Sequence, residues 1–289
     1  MYSSLLQSLQ DNWISYPQVV SLETYAVCNA KCDFCPSDAL LRKDAKMSMG
    51  LIEKIIKDLK ENSRQPAFFN LSRVNEPFLD KRIFDIAALI EREFDQSRFN
   101  WFSNASTLNE RNLYKLLQLK KNNRLNISFN DYRKDEYQST MQIDYDATLR
   151  NIRHLHKLKE DGDCTMSVNL SRVGDGSIDD SAFVDWCSKE FPLFSTSVGV
   201  RFDWMGRVAT PVYVKPPDVG CSQWFKLHIL ADGNVAFCCI DADGKYGLGN
   251  ANDMHVVDDL YNHPWLCSLR EKLPSRNVLR ECYGCTAFA

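Results

Sequence analysis

The chain has 289 residues, of which 44% are hydrophobic and 25% charged, and a chain of this size can bury a full core. Its net charge of −3 argues against nucleic acid as a partner. No apolar run approaches the ~20 residues that span a bilayer, and residues 1–16 lack the apolar centre of a signal peptide. We therefore expect no membrane partner and a cytoplasmic location. In such a protein, eleven cysteines indicate metal binding or redox chemistry rather than disulfides.

Hydrophobic periodicity predicts alternating strands and helices along most of the chain. After an amphipathic lead-in at residues 5–14, strands are predicted at residues 19–24, 67–71, 99–102, 125–129, 165–170 and 197–202. Helices are predicted after the capping residue Ser48 and at residues 83–94, 113–119, 149–158 and 183–191. This alternation predicts an α/β fold with a parallel sheet, and six units indicate a partial (β/α)6 TIM-like barrel.

The sequence changes character after residue 212. Lys215-Pro216-Pro217 forms a stiff break, and two short apolar runs around Asp232-Gly233 predict a β-hairpin. A helix is predicted at about residues 257–273. The expected domains are a lead-in at residues 1–16, the barrel at residues 17–212 and a small hairpin-plus-helix domain at residues 213–289.

Three cysteines follow the first predicted strand with the spacing Cys-x3-Cys-x2-Cys, namely Cys28, Cys32 and Cys35. Three thiolates on one loop can hold three corners of an iron–sulfur cluster, and no fourth ligand is close in sequence. Half of a zinc site is the alternative. Chemistry in such barrels collects at the carboxyl ends of the strands, and this loop falls at such an end.

The cysteine loop, with Phe34 before its third cysteine, resembles the signature of the radical S-adenosylmethionine (SAM) enzymes. The resemblance implies the same (β/α)6 barrel and a [4Fe–4S] cluster that binds SAM and cleaves it to a 5′-deoxyadenosyl radical. It also implies that Phe34 lies near the adenine. Residues 72–78 are similar to the family's Gly-Gly-Glu-Pro stretch, so Glu76 is expected to hold the SAM ammonium group. Both glycines are absent, and Asn75 is expected to supply an amide instead.

Polar side chains recur where later strands end, and relatives contact SAM at these places. Ser103 lies in a turn similar to the family's Thr-Asn-Gly, Ser128 and Asn130 end the fourth strand, and Asn169 ends the fifth. Polar residues after strands are also ordinary turn formers. The resemblance implies that these four side chains bind the cofactor.

Two arginines lie beyond the last two strands. Arg172 and Arg201 are expected to meet the SAM carboxylate or a polar substrate, and ordinary surface positions are the alternative. Arg201 is also placed where some relatives keep an arginine near the reacting carbon.

A second set of cysteines, Cys221, Cys238, Cys282 and Cys285, occurs in the C-terminal domain. On chemistry alone, four thiolates suit a zinc ribbon as well as an iron–sulfur cluster. The spacing Cys221-x11-Gly233-x4-Cys238 is similar to the SPASM and Twitch extensions of radical SAM enzymes. No cysteine follows Cys285, so the shorter Twitch form is expected. The resemblance then implies one auxiliary [4Fe–4S] cluster on these four ligands.

The layout resembles aminocyclitol dehydrogenases, and aminoglycoside epimerases are the neighbouring possibility. A small polar substrate is expected, together with a reductant such as flavodoxin or ferredoxin. Peptide-modifying maturases share the C-terminal extension, but no separate peptide-recognition domain is visible. Dehydrogenation requires the auxiliary cluster as electron acceptor, whereas epimerisation requires a thiol hydrogen donor, for which Cys239 and Cys267 are the candidates. An iron–sulfur or zinc scaffold without catalytic activity is the alternative from another class.

Overall fold

The computed structural model describes residues 2–210, 217–283, 285 and 287. The lead-in forms helix α1 (Tyr2–Trp13). The strands are β1 (Val19–Leu22), β2 (Phe68–Asn70), β3 (Arg98–Ser103), β4 (Asn122–Ser128), β5 (Ser167–Gly174), β6 (Ser195–Val200), β7 (Lys226–Ile229) and β8 (Val235–Ala236). The helices that follow are α2 (Met49–Lys60), α3 (Ile83–Glu93), α4 (Glu110–Gln118), α5 (Lys134–Met141), α6 (Tyr145–Glu160), α7 (Ile178–Glu190) and α8 (Pro264–Lys272).

All eight strands form one sheet in the order β6-β5-β4-β3-β2-β1-β7-β8. Neighbouring strands from β1 to β6 pair in parallel, which confirms the predicted partial barrel. β7 also pairs in parallel with β1, with His228 opposite Ser21, and β8 runs antiparallel to β7. The C-terminal hairpin therefore continues the barrel sheet, whereas the sequence indicated only a separate small unit.

The central strands carry an apolar face and a polar face. Trp101, Leu125, Ile127 and Leu170 are fully buried in the core. Because successive side chains of a strand point to opposite faces, Asn126, between Leu125 and Ile127, lies on the face opposite to these two residues. The central strands thus bury their apolar face, and the other face is mostly polar apart from the half-exposed Phe102, which lies opposite Asn126.

Two helices show how well the periodicity predicted the elements. Ser48 caps α2, with its Oγ accepting a hydrogen bond from Leu51 N at 3.0 Å, as predicted. The helix predicted at residues 257–273 is instead a π-helical turn (Val256–Tyr261) followed by α8. Pro264 accounts for the break, since proline lacks an amide hydrogen and disfavours a helical residue before it.

Helix α5 lies where no helix was predicted. The predicted domain boundary and Lys215-Pro216 fall within residues 211–216, outside the described residues. In the part of the chain that the structure describes, every helix is too short or too polar to cross a membrane.

Candidate active site and auxiliary metal site

The first cysteine loop follows β1 at the carboxyl end of the sheet. Burial raises the pKa of Cys28 to about 12, with contributions from the nearby Glu76 and Cys35. Burial also raises the pKa of Cys32, to which Cys35 and Cys28 add. A metal must therefore displace the protons of these clustered thiols. All eleven cysteines are described and none forms a disulfide. The three thiols of this loop are therefore free to bind a metal cluster, and three ligands leave one corner of a [4Fe–4S] cluster open.

Glu76 lies beside this loop and is 2% exposed. Its Oε1 accepts a hydrogen bond from Ser103 Oγ at 2.9 Å, and its Oε2 accepts one from Asn104 N at 2.8 Å. Burial raises the pKa of Glu76 to about 7, against the lowering effect of these hydrogen bonds. Asn104 in turn places its Nδ2 3.9 Å from Cys28 Sγ. The ends of β2 and β3 therefore meet the cysteine loop, as their motifs predicted.

Asn75 precedes Glu76 and has a free donor. Its Oδ1 accepts a hydrogen bond from Arg73 N at 2.7 Å, whereas its buried Nδ2 has no hydrogen-bond partner among the described residues. Thr24 Oγ1, also buried, lacks one as well. Buried polar atoms are normally paired, so these atoms fit a site that receives a polar ligand such as SAM.

Residues 201–207 cross over the cysteine loop. Arg201 donates from Nη1 to Asp33 Oδ2 at 3.0 Å, and Trp204 donates from Nε1 to the carbonyl of Phe34 at 2.9 Å. Trp204 and Met205 are both left-handed, with φ of 50° and 57°, which turns the segment sharply. Phe34 and Arg201 thus both lie where residues 201–207 contact the cysteine loop. The roles predicted for them stay predictions.

The end of β4 reaches the cysteine loop through a methionine. Asn130 donates from Nδ2 to Met141 Sδ at 3.0 Å, and Met141 Sδ lies 3.4 Å from Cys32 Sγ. Ser128 Oγ lies 3.4 Å from Asn130 Nδ2. Sequence reasoning did not identify Met141, because a single methionine in a short unpredicted helix carries no signal of its own.

Asn169 and Arg172 on β5 are engaged within the protein. Asn169 donates from Nδ2 to Ser197 Oγ at 2.9 Å. Arg172 donates from Nε to Asp180 and from Nη1 to Asp131, both at 2.8 Å. Both side chains therefore have hydrogen-bond partners within the protein. The cofactor or substrate contacts predicted for them stay predictions.

The C-terminal domain brings five cysteines around one small cavity, namely Cys221, Cys238, Cys239, Cys282 and Cys285. Burial raises the pKa of Cys285 to about 11, and the nearby Cys221 and Cys239 add to this effect. The set includes all four predicted ligands and suits a metal cluster. It also includes Cys239, which was expected as a hydrogen donor because the spacing in relatives favoured the adjacent Cys238 as the ligand.

Cys267 lies elsewhere. Its Sγ is 3.3 Å from the carbonyl of Asn262 and 3.4 Å from Arg270 Nη2. Arg270 connects this region to the N-terminal segment through Ile14 O at 2.8 Å. Of the two predicted hydrogen donors, the structure brings only Cys239 to a cysteine site.

A buried ionic network joins the barrel to the C-terminal domain. Glu23, directly after β1, accepts hydrogen bonds from Arg42 Nε at 2.5 Å and Nη2 at 2.7 Å. Arg42 Nη1 also bonds Asp243 Oδ1 at 2.7 Å. Arg73 donates from Nη2 to the carbonyls of Cys238 at 3.2 Å and Asp241 at 3.0 Å. These contacts were not predicted, because isolated charged residues are by default assigned to the surface.

Comparison with known proteins is consistent with this geometry. Residues 22–182 match the family model described as the Radical SAM superfamily, and residues 221–286 match an iron–sulfur cluster-binding domain of the SPASM type. No curated protein sequence matches the chain.

Three solved structures illustrate the shared fold. BtrN in complex with AdoMet and 2-DOIA is 14% identical, with a TM-score of 0.60 over 92% of this chain and 91% of that chain. Streptococcus suis SuiB bound to the precursor peptide SuiA is 14% identical, with a TM-score of 0.68 over 92% of this chain and 69% of that chain. anSMEcpe with bound AdoMet is 13% identical, with a TM-score of 0.63 over 89% and 79%.

Proposed function

Because the chain belongs to the radical SAM superfamily, we propose that it removes a hydrogen atom from a C–H bond of a small polar, sugar-like or aminocyclitol-like substrate and so dehydrogenates it. Its cofactors are SAM and two [4Fe–4S] clusters, one in the barrel and one in the C-terminal domain. When bound, SAM and the barrel cluster supply the 5′-deoxyadenosyl radical that abstracts the hydrogen.

Different residues bind the two clusters and SAM. Cys28, Cys32 and Cys35 hold the SAM-binding cluster, and the carboxylate of Glu76 and the free amide of Asn75 position the SAM amino acid moiety. The auxiliary cluster is held by the four predicted cysteines, Cys221, Cys238, Cys282 and Cys285.

The observation that supports a polyhydroxylated substrate is a row of uncharged polar side chains on one face of β4, β5 and β6. In register across β4, β5 and β6, Asn126 lies opposite Asn169, which lies opposite Ser195, and Ser128 lies opposite Ser171. Amides and hydroxyls both donate and accept hydrogen bonds, as sugar hydroxyls do. The structural neighbour BtrN holds 2-DOIA, whereas SuiB and its bound peptide support a peptide-modifying activity as the alternative.

Dehydrogenation follows if the substrate radical loses one electron and one proton. The auxiliary site lies next to the barrel, joined to it by β7 and by Arg73, and this placement supports electron transfer from the radical. Epimerisation is the second candidate, since Cys239 is a fifth thiol at a site that needs four ligands. The electron that starts the reaction comes from a reductant such as flavodoxin or ferredoxin, in the cytoplasm.

The test begins with the enzyme reconstituted anaerobically and reduced with dithionite. Formation of 5′-deoxyadenosine is measured with a panel of aminocyclitols and amino sugars, and in parallel with a panel of short peptides. We expect the aminocyclitols or amino sugars to stimulate SAM cleavage. Stimulation by peptides alone would overturn the substrate class, and complete absence of cleavage would overturn the enzymatic function.

Heavy water separates the two outcomes of the reaction. A dehydrogenated product gains no deuterium at the reacting carbon, whereas an epimerised product carries one deuterium delivered from a thiol. We expect wild-type enzyme and the Cys239→Ala and Cys267→Ala variants each to release an oxidised product. A deuterated, inverted product that is lost only in Cys239→Ala would establish epimerisation with Cys239 as donor.

A further inference from the structure

Arg73 has an unusual set of partners for a half-buried arginine. It lies between β2 and Glu76, and its Nε is shielded from solvent with no hydrogen-bond partner among the described residues. Within the described ranges, its hydrogen bonds are those from Nη2 to the carbonyls of Cys238 and Asp241. Among the residues that the structure describes, no carboxylate forms an ion pair with it.

Other interior arginines are compensated. Arg42 and Arg172 each bond two carboxylates. Arg270 has no carboxylate, but it bonds the carbonyls of Ile14, Trp224 and Tyr261 and lies 4.0 Å from the Tyr261 ring centroid. Arg73 is half-buried and has neither arrangement among the described residues, although the Glu23 carboxylate acts on it electrostatically. A partly buried charge that is incompletely compensated is costly.

Arg73 faces the Glu23 carboxylate and the thiols of Cys239 and Cys238. Burial lowers the pKa of Arg73, whereas Glu23, Cys239 and Cys238 act in the opposite direction. The Glu23 carboxylate is already occupied by two bonds from Arg42 and by the amide of Ala231 at 3.2 Å. The cysteine thiols therefore remain as the neighbours that become negative when a cluster binds.

We propose that Arg73, in addition to Arg276 in the lining of the cavity, is a counter-ion of the auxiliary cluster and raises its reduction potential, so that the cluster accepts an electron more readily. The inference rests on the proposed function. A thiolate-ligated cluster becomes more negative by one charge when it is reduced, and a fixed positive charge nearby stabilises that form. Because Arg73 belongs to the same segment as Asn75 and Glu76, it also connects the SAM site to the electron acceptor.

The alternative is a purely structural role, in which Arg73 holds the segment after β2 against residues 238–241 through hydrogen bonds. A purely structural contact acts through its hydrogen bonds and has no direct effect on the reduction potential of the auxiliary cluster. The midpoint potential of the auxiliary cluster therefore separates the two roles, whereas loss of activity does not.

The experiment is a redox titration of the reconstituted full-length enzyme followed by electron paramagnetic resonance. A Cys28/Cys32/Cys35→Ala variant identifies the signal of the auxiliary cluster. In Arg73→Gln and Arg73→Met we expect the ratio of reduced to oxidised cluster at a fixed potential to fall at least tenfold, which is 59 mV for a one-electron couple. Methionine fills the apolar volume, so one charge-free variant folds even where a buried amide is not tolerated. Arg73→Lys keeps the charge and should retain most of the wild-type potential.

Arg270→Gln is the matched control, because it removes a buried arginine of the C-terminal domain whose carbonyl partners, on Ile14, Trp224 and Tyr261, do not belong to predicted cluster ligands. An unchanged midpoint in both charge-free Arg73 variants, or an equal fall in Arg270→Gln, would overturn the inference. Metal analysis keeps this result separate from the proposed function. About eight irons with an unmoved potential refutes the role of Arg73 alone, whereas zinc in the C-terminal site refutes the auxiliary cluster.

Discussion

Glu76 combines almost complete burial with a carboxyl group that must be charged to hold an ammonium group. Replacing it by glutamine removes that charge, and a hydrogen bond to a charged group contributes about 1.5–3 kcal/mol. We therefore expect Glu76→Gln to weaken SAM binding about 10- to 100-fold in anaerobic isothermal titration calorimetry. Glu136→Gln, on the exposed side of α5, is the control and should bind SAM normally. Equal affinity in both variants would exclude Glu76 from the SAM site.

The pKa of Glu76 also predicts how stability depends on pH. Its pKa of about 7 in the folded protein is above the usual value of 4.5, so folding favours the protonated form. The stabilisation is complete below about pH 4.5 and is lost as the pH rises through about 7, a change of about 3 kcal/mol. We expect the wild-type protein without SAM to lose stability over this range in urea unfolding, and Glu76→Gln to show a flatter profile. A wild-type profile as flat as that of the variant would contradict the prediction.

Asn75 offers a cleaner test, since its two amide atoms have different partners. Asn75→Asp keeps the oxygen that accepts from Arg73 N, removes the free Nδ2 donor and adds a negative charge, which Asn75→Ala does not add. One neutral hydrogen bond contributes about 0.5–1.5 kcal/mol, so we expect SAM to bind about three- to tenfold more weakly. Asn75→Ala should weaken binding as much and also destabilise the turn. Unchanged affinity in Asn75→Asp would show that the donor does not contact SAM.

At the scale of elements, the segment between β1 and α2 depends on the buried pair of Glu23 and Arg42, whose side chains are 0% and 5% exposed. Arg42→Met leaves the Glu23 carboxylate buried without its counter-ion. We expect a loss of roughly 3–5 kcal/mol in the free energy of unfolding, measured by urea denaturation. The double variant Glu23→Leu with Arg42→Met removes both charges and should recover much of the loss. If the double variant is no more stable than Arg42→Met, packing of the arginine rather than its charge holds this segment.

Periodicity predicted the six barrel strands, because each carries a short apolar run, although the run in β6, at the edge of the sheet, is mostly exposed. It could not predict that β7 pairs with β1. β7 has only four residues, including Lys226 and His228, and its partner strand is about two hundred positions earlier in the chain. Such pairing depends on the packing of the whole sheet, and no local pattern encodes it.

The same distinction holds for the site. The spacing of the cysteines and the position of Glu76 after β2 are local features, so the sequence could predict them. Met141 against Cys32, and Arg73 against the carbonyl of Cys238, are contacts between distant segments made by residue types with many ordinary uses. Only the tertiary structure places them at the site.

At the scale of the whole molecule, two cysteine sites are held in one connected body. β7 joins the C-terminal domain to the barrel sheet, and Arg42 bonds Asp243 beyond the hairpin. Residues 201–207 contact the first cysteine loop through Trp204, and Met205 lines the auxiliary cavity. The separation between the two clusters is therefore fixed by the fold, as electron transfer between the barrel and the auxiliary site requires.

This arrangement predicts the metal content. Seven cysteines in two sets should hold two clusters, so anaerobic reconstitution should give about eight irons and eight sulfides per chain. Replacing Cys28, Cys32 and Cys35 together by alanine should remove about half of the iron and all SAM cleavage, because the remaining cluster has no SAM site. Replacing the buried Cys164 and Cys187 should leave the iron unchanged, since both lie in the hydrophobic core. Four irons with one zinc in the wild-type protein would leave the SAM site intact and refute the auxiliary cluster.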